Sequence, residues 1–224
     1  MARILLIDTS TAVLSVGLSV DGTVVEERIC TEARQQASLT APLVKEVLDA
    51  QGISVGDCDA VCVGSGPGSY TGLRVGVSTA KGLAFGAGIP LLSMGTLDIL
   101  VAGARGFEGR IIPMIDARRM EVYTAVFSAD GKQLSPVEAK VIDEQSFADE
   151  LAAGPVLFVG DGALKCQAVI HSPNAHFREA WPEAADMAAA AEAAYQEKRF
   201  EDLAYFEPYY LKDFIATVSR KNLF

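Results

Sequence analysis

The chain has 224 residues, 50% of them hydrophobic, and a formal net charge of −10. That composition supports one large domain or two small ones with real cores. It excludes a protein that holds RNA or an anionic membrane over a broad face, because such binders are basic. The four cysteines, Cys30, Cys58, Cys62 and Cys166, form no CxxC pair. Cys58 and Cys62 on an extended strand would stand roughly 13 Å apart, too far to bridge. Reduced thiols and a cytoplasmic protein are the expectation. Arg3 leads straight into a strand with no signal segment before it, and no apolar run reaches about 18 residues, so no membrane span is expected.

In chain order, Ile4–Ile7 is a continuous apolar run, the mark of a buried central strand, and Asp8-Thr9-Ser10-Thr11 ends it in a polar turn. Leu14–Val20 and Thr23–Arg28 read as a hairpin around Asp21-Gly22. Ser38 opens a helix to about Gln51, with Gly52 as its stop and Leu39, Leu43 and Val47 on one face. A short strand, Ala60–Val63, then enters Gly64-Ser65-Gly66-Pro67-Gly68-Ser69-Tyr70-Thr71-Gly72, and a long small-residue helix follows from about Leu73 to Ala87. Ile89–Leu92 and Thr96–Ala104 are the next strand and helix. Gly103–Gly109 reads as a hinge, so residues 1–103 form one half and 110–207 a smaller second half.

Past the hinge the opening pattern returns. Ile111–Asp116 echoes Ile4–Asp8, Glu121–Phe127 echoes Leu14–Val20, and Asp130-Gly131 echoes Asp21-Gly22. Three features in the same order at nearly the same spacing mark an internal duplication. A helix over Ser146–Ala152, a strand over Val156–Val159, a helix after Gly160-Asp161-Gly162, an irregular stretch over 171–180 with room for a short strand, and an alanine-rich helix over Ala184–Phe200 complete the second half. The tail from Pro208 is expected to pack back on the first half, and Ser219–Phe224 to fray.

The glycine loop admits two readings. One is a phosphate cradle at a helix N-terminus, with Gly66 and Gly68 beside the strand-end residues Asp8, Thr9 and Ser10. It lacks the Gly-Lys-Ser/Thr of a Walker A loop and the spacing of the dinucleotide fingerprint. The other is a tight turn that seats the helix, with Pro67 holding Ser65-Gly66 extended and Ser69 or Thr71 as the cap. Gly72, Gly76, Ala80, Ala84 and Gly88 recur every four residues. A soluble helix that accepts internal glycine, at about 1 kcal/mol each relative to alanine, needs a close neighbour, either in its own chain or in a partner.

Candidate chemistry is sparse. Asp8 and Asp116 end the two duplicated strands, and paired carboxylates across a cleft could bind Mg²⁺ with phosphates; as turn residues they need no function. Asp116-Ala117-Arg118-Arg119 is a charged turn, either solvated or in contact with an anion. His171 and His176 have no ligand-like spacing to other residues, and no G-x-S-x-G elbow is present. No histidine- or cysteine-based metal site and no serine nucleophile are expected, and Asp8 and Asp116 stay open; that the chain has no catalytic residues is implied only by the resemblance that follows.

Taken together, Ile4–Ser10 with its hairpin, Gly66–Gly76, Ile115-Asp116-Ala117-Arg118 with Glu121-Val122-Tyr123, and Pro208-Tyr209-Tyr210-Leu211 resemble the TsaB (YeaZ) family of tRNA threonylcarbamoyladenosine biosynthesis subunits, over essentially the whole chain. The resemblance implies an α/β, duplicated actin/Hsp70-like ATPase fold of two βββαβα halves, the second reduced. It implies a non-catalytic subunit that its paralogue TsaD needs to transfer a threonylcarbamoyl group to the adenosine 3′ of the anticodon, in tRNAs reading codons beginning with A. TsaD and TsaE are the implied partners, a homodimer is an alternative use of the same surface, and tRNA is met only through the complex. No cofactor is implied, apart from ATP or ADP at the junction with TsaD. TsaD-like chains carry an HxxxH pair after the glycine-motif helix; Leu91–Ala102 here holds no histidine. The first helices imply a partner face that includes Leu39, Leu43, Val47, Gly72, Arg74, Gly76, Ala80 and Ala84. Gln36 stands where many relatives have histidine. An actin-fold ATPase or phosphotransferase using Asp8 and Asp116, and a glycoprotease-type peptidase, are the competing readings.

Overall fold

The apolar runs become the centres of two five-stranded sheets in the computed structural model, which describes residues 2–32 and 34–212. Ser219–Phe224 lie outside the described residues. The first half runs β1 (Arg3–Asp8), β2 (Leu14–Val20), β3 (Thr23–Cys30), α1 (Gln36–Ala50), β4 (Ala60–Gly66), α2 (Tyr70–Ala87), β5 (Leu91–Gly95) and α3 (Thr96–Ala102). Its strand order is β3-β2-β1-β4-β5, with β1 antiparallel to β2 and parallel to β4, and β4 parallel to β5. Along β1 the side chains alternate: Leu5 and Ile7 enter the core under α1 and α2, while Ile4 and Leu6 enter the core on the opposite face. Both faces are covered, which is why the run reads as unbroken hydrophobic rather than alternating.

The second half runs β6 (Arg110–Asp116), β7 (Glu121–Thr124), β8 (Glu138–Val141), α4 (Ala148–Ala153), β9 (Val156–Val159), α5 (Ala163–Cys166) and β10 (Ala175–Arg178), followed by α6 (Ala184–Gln196). Its order, β8-β7-β6-β9-β10, repeats that of the first sheet. The duplication read in the sequence is therefore a duplication of topology, and the reduction lies in short elements such as the four-residue α5.

Several local features differ from the sequence reading. α1 begins at Gln36 without a side-chain cap, and Ser38 sits inside its first turn, donating to the Gln35 carbonyl at 3.0 Å. β8 has a weak sequence signal, a mixed charged and apolar edge strand. The stretch over 171–180, read as irregular with room for a short strand, holds the four-residue β10, including His176. The alanine-rich helix stops at Gln196 rather than Phe200.

One difference matters for architecture. α6 follows the second sheet in sequence but packs on the first, where Ala184, Met187, Ala188, Ala191 and Ala194 join Ala2, Ile4, Leu6, Ala60 and Cys62. Its small residues allow close approach: a Cβ on Gly17 of β2 would meet the Ala184 Cβ at 3.1 Å. Residues 184–196 thus belong structurally to the first half.

Candidate functional site

The glycine loop is built around the β1–β2 turn. Asp8, Thr9 and Ser10 are fully buried, and Thr11 nearly so. Ser69 caps α2, its hydroxyl accepting from the Gly72 N–H at 3.3 Å, and its own N–H donates to the Ser10 carbonyl at 2.7 Å. Thr9 Oγ1 donates to the Gly72 carbonyl at 2.7 Å. A Cβ on Gly68, Gly72 or Gly76 would collide with the Ser10 carbonyl, the Thr9 carbonyl or Thr9 Oγ1 respectively, closer than side chains ever approach. Gly66 has φ +113°, a conformation that side-chain-bearing residues rarely adopt, so Ser65-Gly66 is not the ordinary extended dipeptide expected before Pro67.

The tail closes the loop from outside. The Tyr209 N–H donates to the Ser65 carbonyl at 2.8 Å, and a Cβ on Gly66 would meet the Tyr209 carbonyl oxygen at 2.6 Å. Upstream, Lys81 on α2 donates to the Phe206 carbonyl at 2.9 Å and the Ala204 carbonyl at 3.2 Å, while Leu203 and Phe206 pack on the first core. The Ser10 and Tyr209 carbonyl oxygens thus pack against Gly68 and Gly66, and this close backbone approach requires glycine at both positions.

The two strand-end carboxylates differ in environment. Asp8 Oδ1 accepts from the Ser10 N–H at 3.0 Å and the Ser10 hydroxyl at 2.8 Å, while Oδ2 is buried without a partner. Burial raises its pKa to about 6, against the opposing pull of the Ser10 bonds. Asp116 is exposed, ion-pairs with Lys165 and accepts from the Arg118 N–H at 2.8 Å. Its own N–H donates to Asp161, whose carboxyl is also raised to about 6 by burial. Among the described residues no group of three His, Cys, Asp or Glu gathers in a metal-binding cluster. His176 makes an edge contact with Phe107 at 5.6 Å.

The expected partner face needs correction. Gly72, Gly76, Ala80 and Ala84 are all buried, with Ala80 and Ala84 in the core under the first sheet. Val47 is likewise fully buried, and Leu39 and Leu43 are half-buried against the same core. The close neighbour that this stripe needs is the chain's own β1–β2 turn and sheet. Of the residues named for that face, only Arg74 is exposed. The outward face of α2 carries Arg74, Ser78, Gly82 and Gly86, with Phe85 80% exposed. Space is open beyond Gly82 and Gly86. Ala41, Pro42 and Lys45 of α1 are exposed too. This second four-residue repeat was present in the sequence beside the first; without burial, nothing distinguished them.

Gln36 has a defined role: its side-chain amide donates to the carbonyls of Thr11 at 2.9 Å and Ala12 at 3.2 Å, tying α1 to the β1–β2 turn.

Two sheets of the same strand order, with a glycine loop entering the long helix of the first half, define a duplicated actin-like fold. Comparison with known proteins narrows this class. The family model described as TsaD, tRNA N6-adenosine threonylcarbamoyltransferase, matches residues 29–219. The tRNA threonylcarbamoyladenosine biosynthesis protein TsaB of Bacillus subtilis (strain 168) is 36% identical over 164 residues, covering 70% of each chain. The protein of the same description from Escherichia coli (strain K12) is 42% identical over 131 residues, 57% of this chain and 56% of that one, so the match spans just over half of that relative's length. The solved structure of YeaZ from Pseudomonas aeruginosa superposes with a TM-score of 0.81 at 29% identity, over 94% of this chain and all of that one. The chain belongs to the TsaB (YeaZ) branch of the TsaD family.

Proposed function

We propose that this chain is a non-catalytic subunit of the machinery that places a threonylcarbamoyl group on the adenosine 3′ of the anticodon, in tRNAs reading codons beginning with A. It acts in the cytoplasm by pairing with its catalytic paralogue TsaD, in a complex that TsaE also joins. The observation that carries this reading is the glycine loop packed against the chain's own Ser10 and Tyr209 carbonyls, in a family whose relatives bear biosynthetic names. A glycine loop used for packing and a sealed strand-end aspartate leave the surface as the means of action. Any ATP or ADP bound by the assembly lies at the junction with TsaD rather than in this loop.

The pairing surface is the outward face of α1 and α2, around Ser78, Gly82, Phe85 and Gly86. Small residues there let a second helix approach closely, and Phe85 supplies an apolar anchor. The same face serves a homodimer when TsaD is absent.

An omission assay tests the role. The chain is combined with TsaC, TsaD, TsaE, threonine, bicarbonate, ATP and unmodified tRNA, and the modified nucleoside is quantified by mass spectrometry. Modification collapses when the chain is left out, and the chain alone changes neither tRNA nor ATP. Equal modification without it overturns the proposal.

A further inference from the structure

The tail that seals the glycine loop also brings together cationic and aromatic side chains from both halves. Arg74 lies over the Tyr70 ring at 5.4 Å, and Tyr70 packs against Tyr210 at 4.9 Å. Two residues on, Lys212 pairs with Glu121 and lies 5.8 Å over the Tyr123 ring. The Glu121 N–H donates to the Arg118 carbonyl at 3.2 Å, closing the turn that carries Arg118 and Arg119. Both arginines are exposed and both have positive φ, 72° and 53°, a conformation uncommon outside glycine.

Charge on this rim runs against the rest of the molecule. The carboxylates along it are engaged: Asp116 by Lys165 and the Arg118 N–H, Glu121 by Lys212. Asp161 is mostly buried and accepts from the Asp116 N–H. Glu207 is the remaining carboxylate whose charge reaches Tyr210. Arg74, Arg118 and Arg119 form no ion pair among the described residues. Among the described residues these three guanidiniums thus have no carboxylate partner, on a chain of net charge −10. Tyr210, packed on the Tyr70 ring that Arg74 covers, is 38% exposed, and Tyr209 next to it in the chain is 46% exposed.

We propose that this rim, Arg74, Tyr210, Lys212, Arg118 and Arg119, is a direct contact for a single-stranded stretch of RNA, which the tRNA reading above identifies as a loop of the substrate tRNA. Guanidiniums pair with phosphates through a planar fork, and phenol rings stack on bases whatever their sequence. An acidic peptide would use the guanidiniums and leave the rings idle. The area is small and the chain carries a net charge of −10, so by itself it holds RNA weakly, and in the complex it orients tRNA that the paralogue holds.

The test uses the full chain and a fluorescently labelled anticodon stem-loop, titrated by anisotropy at several salt concentrations. Arg118→Asn with Arg119→Asn removes two charges while keeping a residue that tolerates positive φ. The expected wild-type slope of log affinity against log salt is about −2, from roughly −0.7 for each of three phosphates. The double variant shows at least a tenfold loss at low salt and a slope flatter by about 1.4. Tyr210→Leu weakens binding without changing the slope. Arg118→Lys with Arg119→Lys restores the slope, and matched thermal unfolding shows that the variants fold. Absence of wild-type binding, or equal binding by the double variant, overturns the proposal. So does a polyglutamate peptide that binds as tightly as the RNA. The subunit role is judged separately in the omission assay: if modification needs the chain but the double variant leaves KM for tRNA unchanged, the role stands and the contact falls. If modification proceeds without the chain while the anisotropy pattern holds, the contact stands and the role falls.

Discussion

The hydroxyl of Thr9 donates to the carbonyl of Gly72 at 2.7 Å, joining the β1–β2 turn to the first turn of α2. The same oxygen occupies the position that a side chain on Gly76 would take. The Thr9 carbonyl oxygen in turn occupies the position that a side chain on Gly72 would take, so Thr9 accounts for the glycines at both positions.

Substitution on the two faces of α2 should therefore have opposite signs. Gly76→Ala forces its Cβ into Thr9 and is expected to destabilise by about 2–3 kcal/mol, as overpacked sites do. Gly82→Ala meets nothing within 4 Å, and removing a mid-helix glycine is expected to stabilise by about 0.5–1 kcal/mol. Urea unfolding of both variants reads this; a neutral Gly76→Ala contradicts the packing account.

Pairing should respond to the outer face alone. Phe85→Asp and Gly86→Arg are expected to weaken association with TsaD by at least about 2 kcal/mol, roughly 30-fold. The thermal midpoint of the isolated chain should stay close to wild type, since Phe85 is 80% exposed and Gly86 faces open space. Co-elution and titration calorimetry check it, and undiminished affinity places the interface elsewhere.

Asp8 gives the chain a defined pH dependence. Burial raises its carboxyl from the ordinary 3.8 to about 6. Between those values the folded state binds more protons than the unfolded state, so this group removes stability as pH rises through that window. Above about 6 the cost is complete, at most about 3 kcal/mol for a shift of roughly two units. Asp8→Asn carries no such cost and keeps an acceptor for Ser10. Its stability relative to wild type should be greater at about pH 7.5 than at about pH 4, by about 2–3 kcal/mol. A difference that stays constant across the range sinks the assignment.

Lys81 holds the tail through two carbonyls, Ala204 and Phe206. Lys81→Met keeps the apolar stem and loses both bonds, about 1.5–3 kcal/mol if charged hydrogen bonds of ordinary strength are lost. The expected result is faster amide exchange and proteolysis over 204–212 with the sheets unaffected. Unchanged protection there shows that Leu203 and Phe206 anchor the tail by themselves.

Much of this was legible in the chain. Ile4–Ile7 and Ile111–Ile115 announce buried central strands because both faces are covered, and their Asp endings with matching turns reveal the repeat. Ser69 was readable as a cap because its hydroxyl needs only local backbone. Other features depended on distant partners. α1 starts without a side-chain cap because Gln36 is held by Thr11 and Ala12, far away in sequence. α6 lies on the first sheet because small alanines fit against Gly17 and Ile4, which no local pattern encodes.

The sequence by itself determined the duplicated α/β architecture, the glycine turn and the family resemblance, since each rests on local periodicity, turn chemistry and ordered motifs. Only the tertiary structure decided which of two four-residue stripes on α2 is buried, that the glycine loop packs against the Ser10 and Tyr209 carbonyls, and that Asp8 is sealed while Asp116 is not. Helical spacing places residues on a common face but does not say which face meets the sheet. That choice is made by what packs opposite, and here it is the carbonyl and hydroxyl of Thr9.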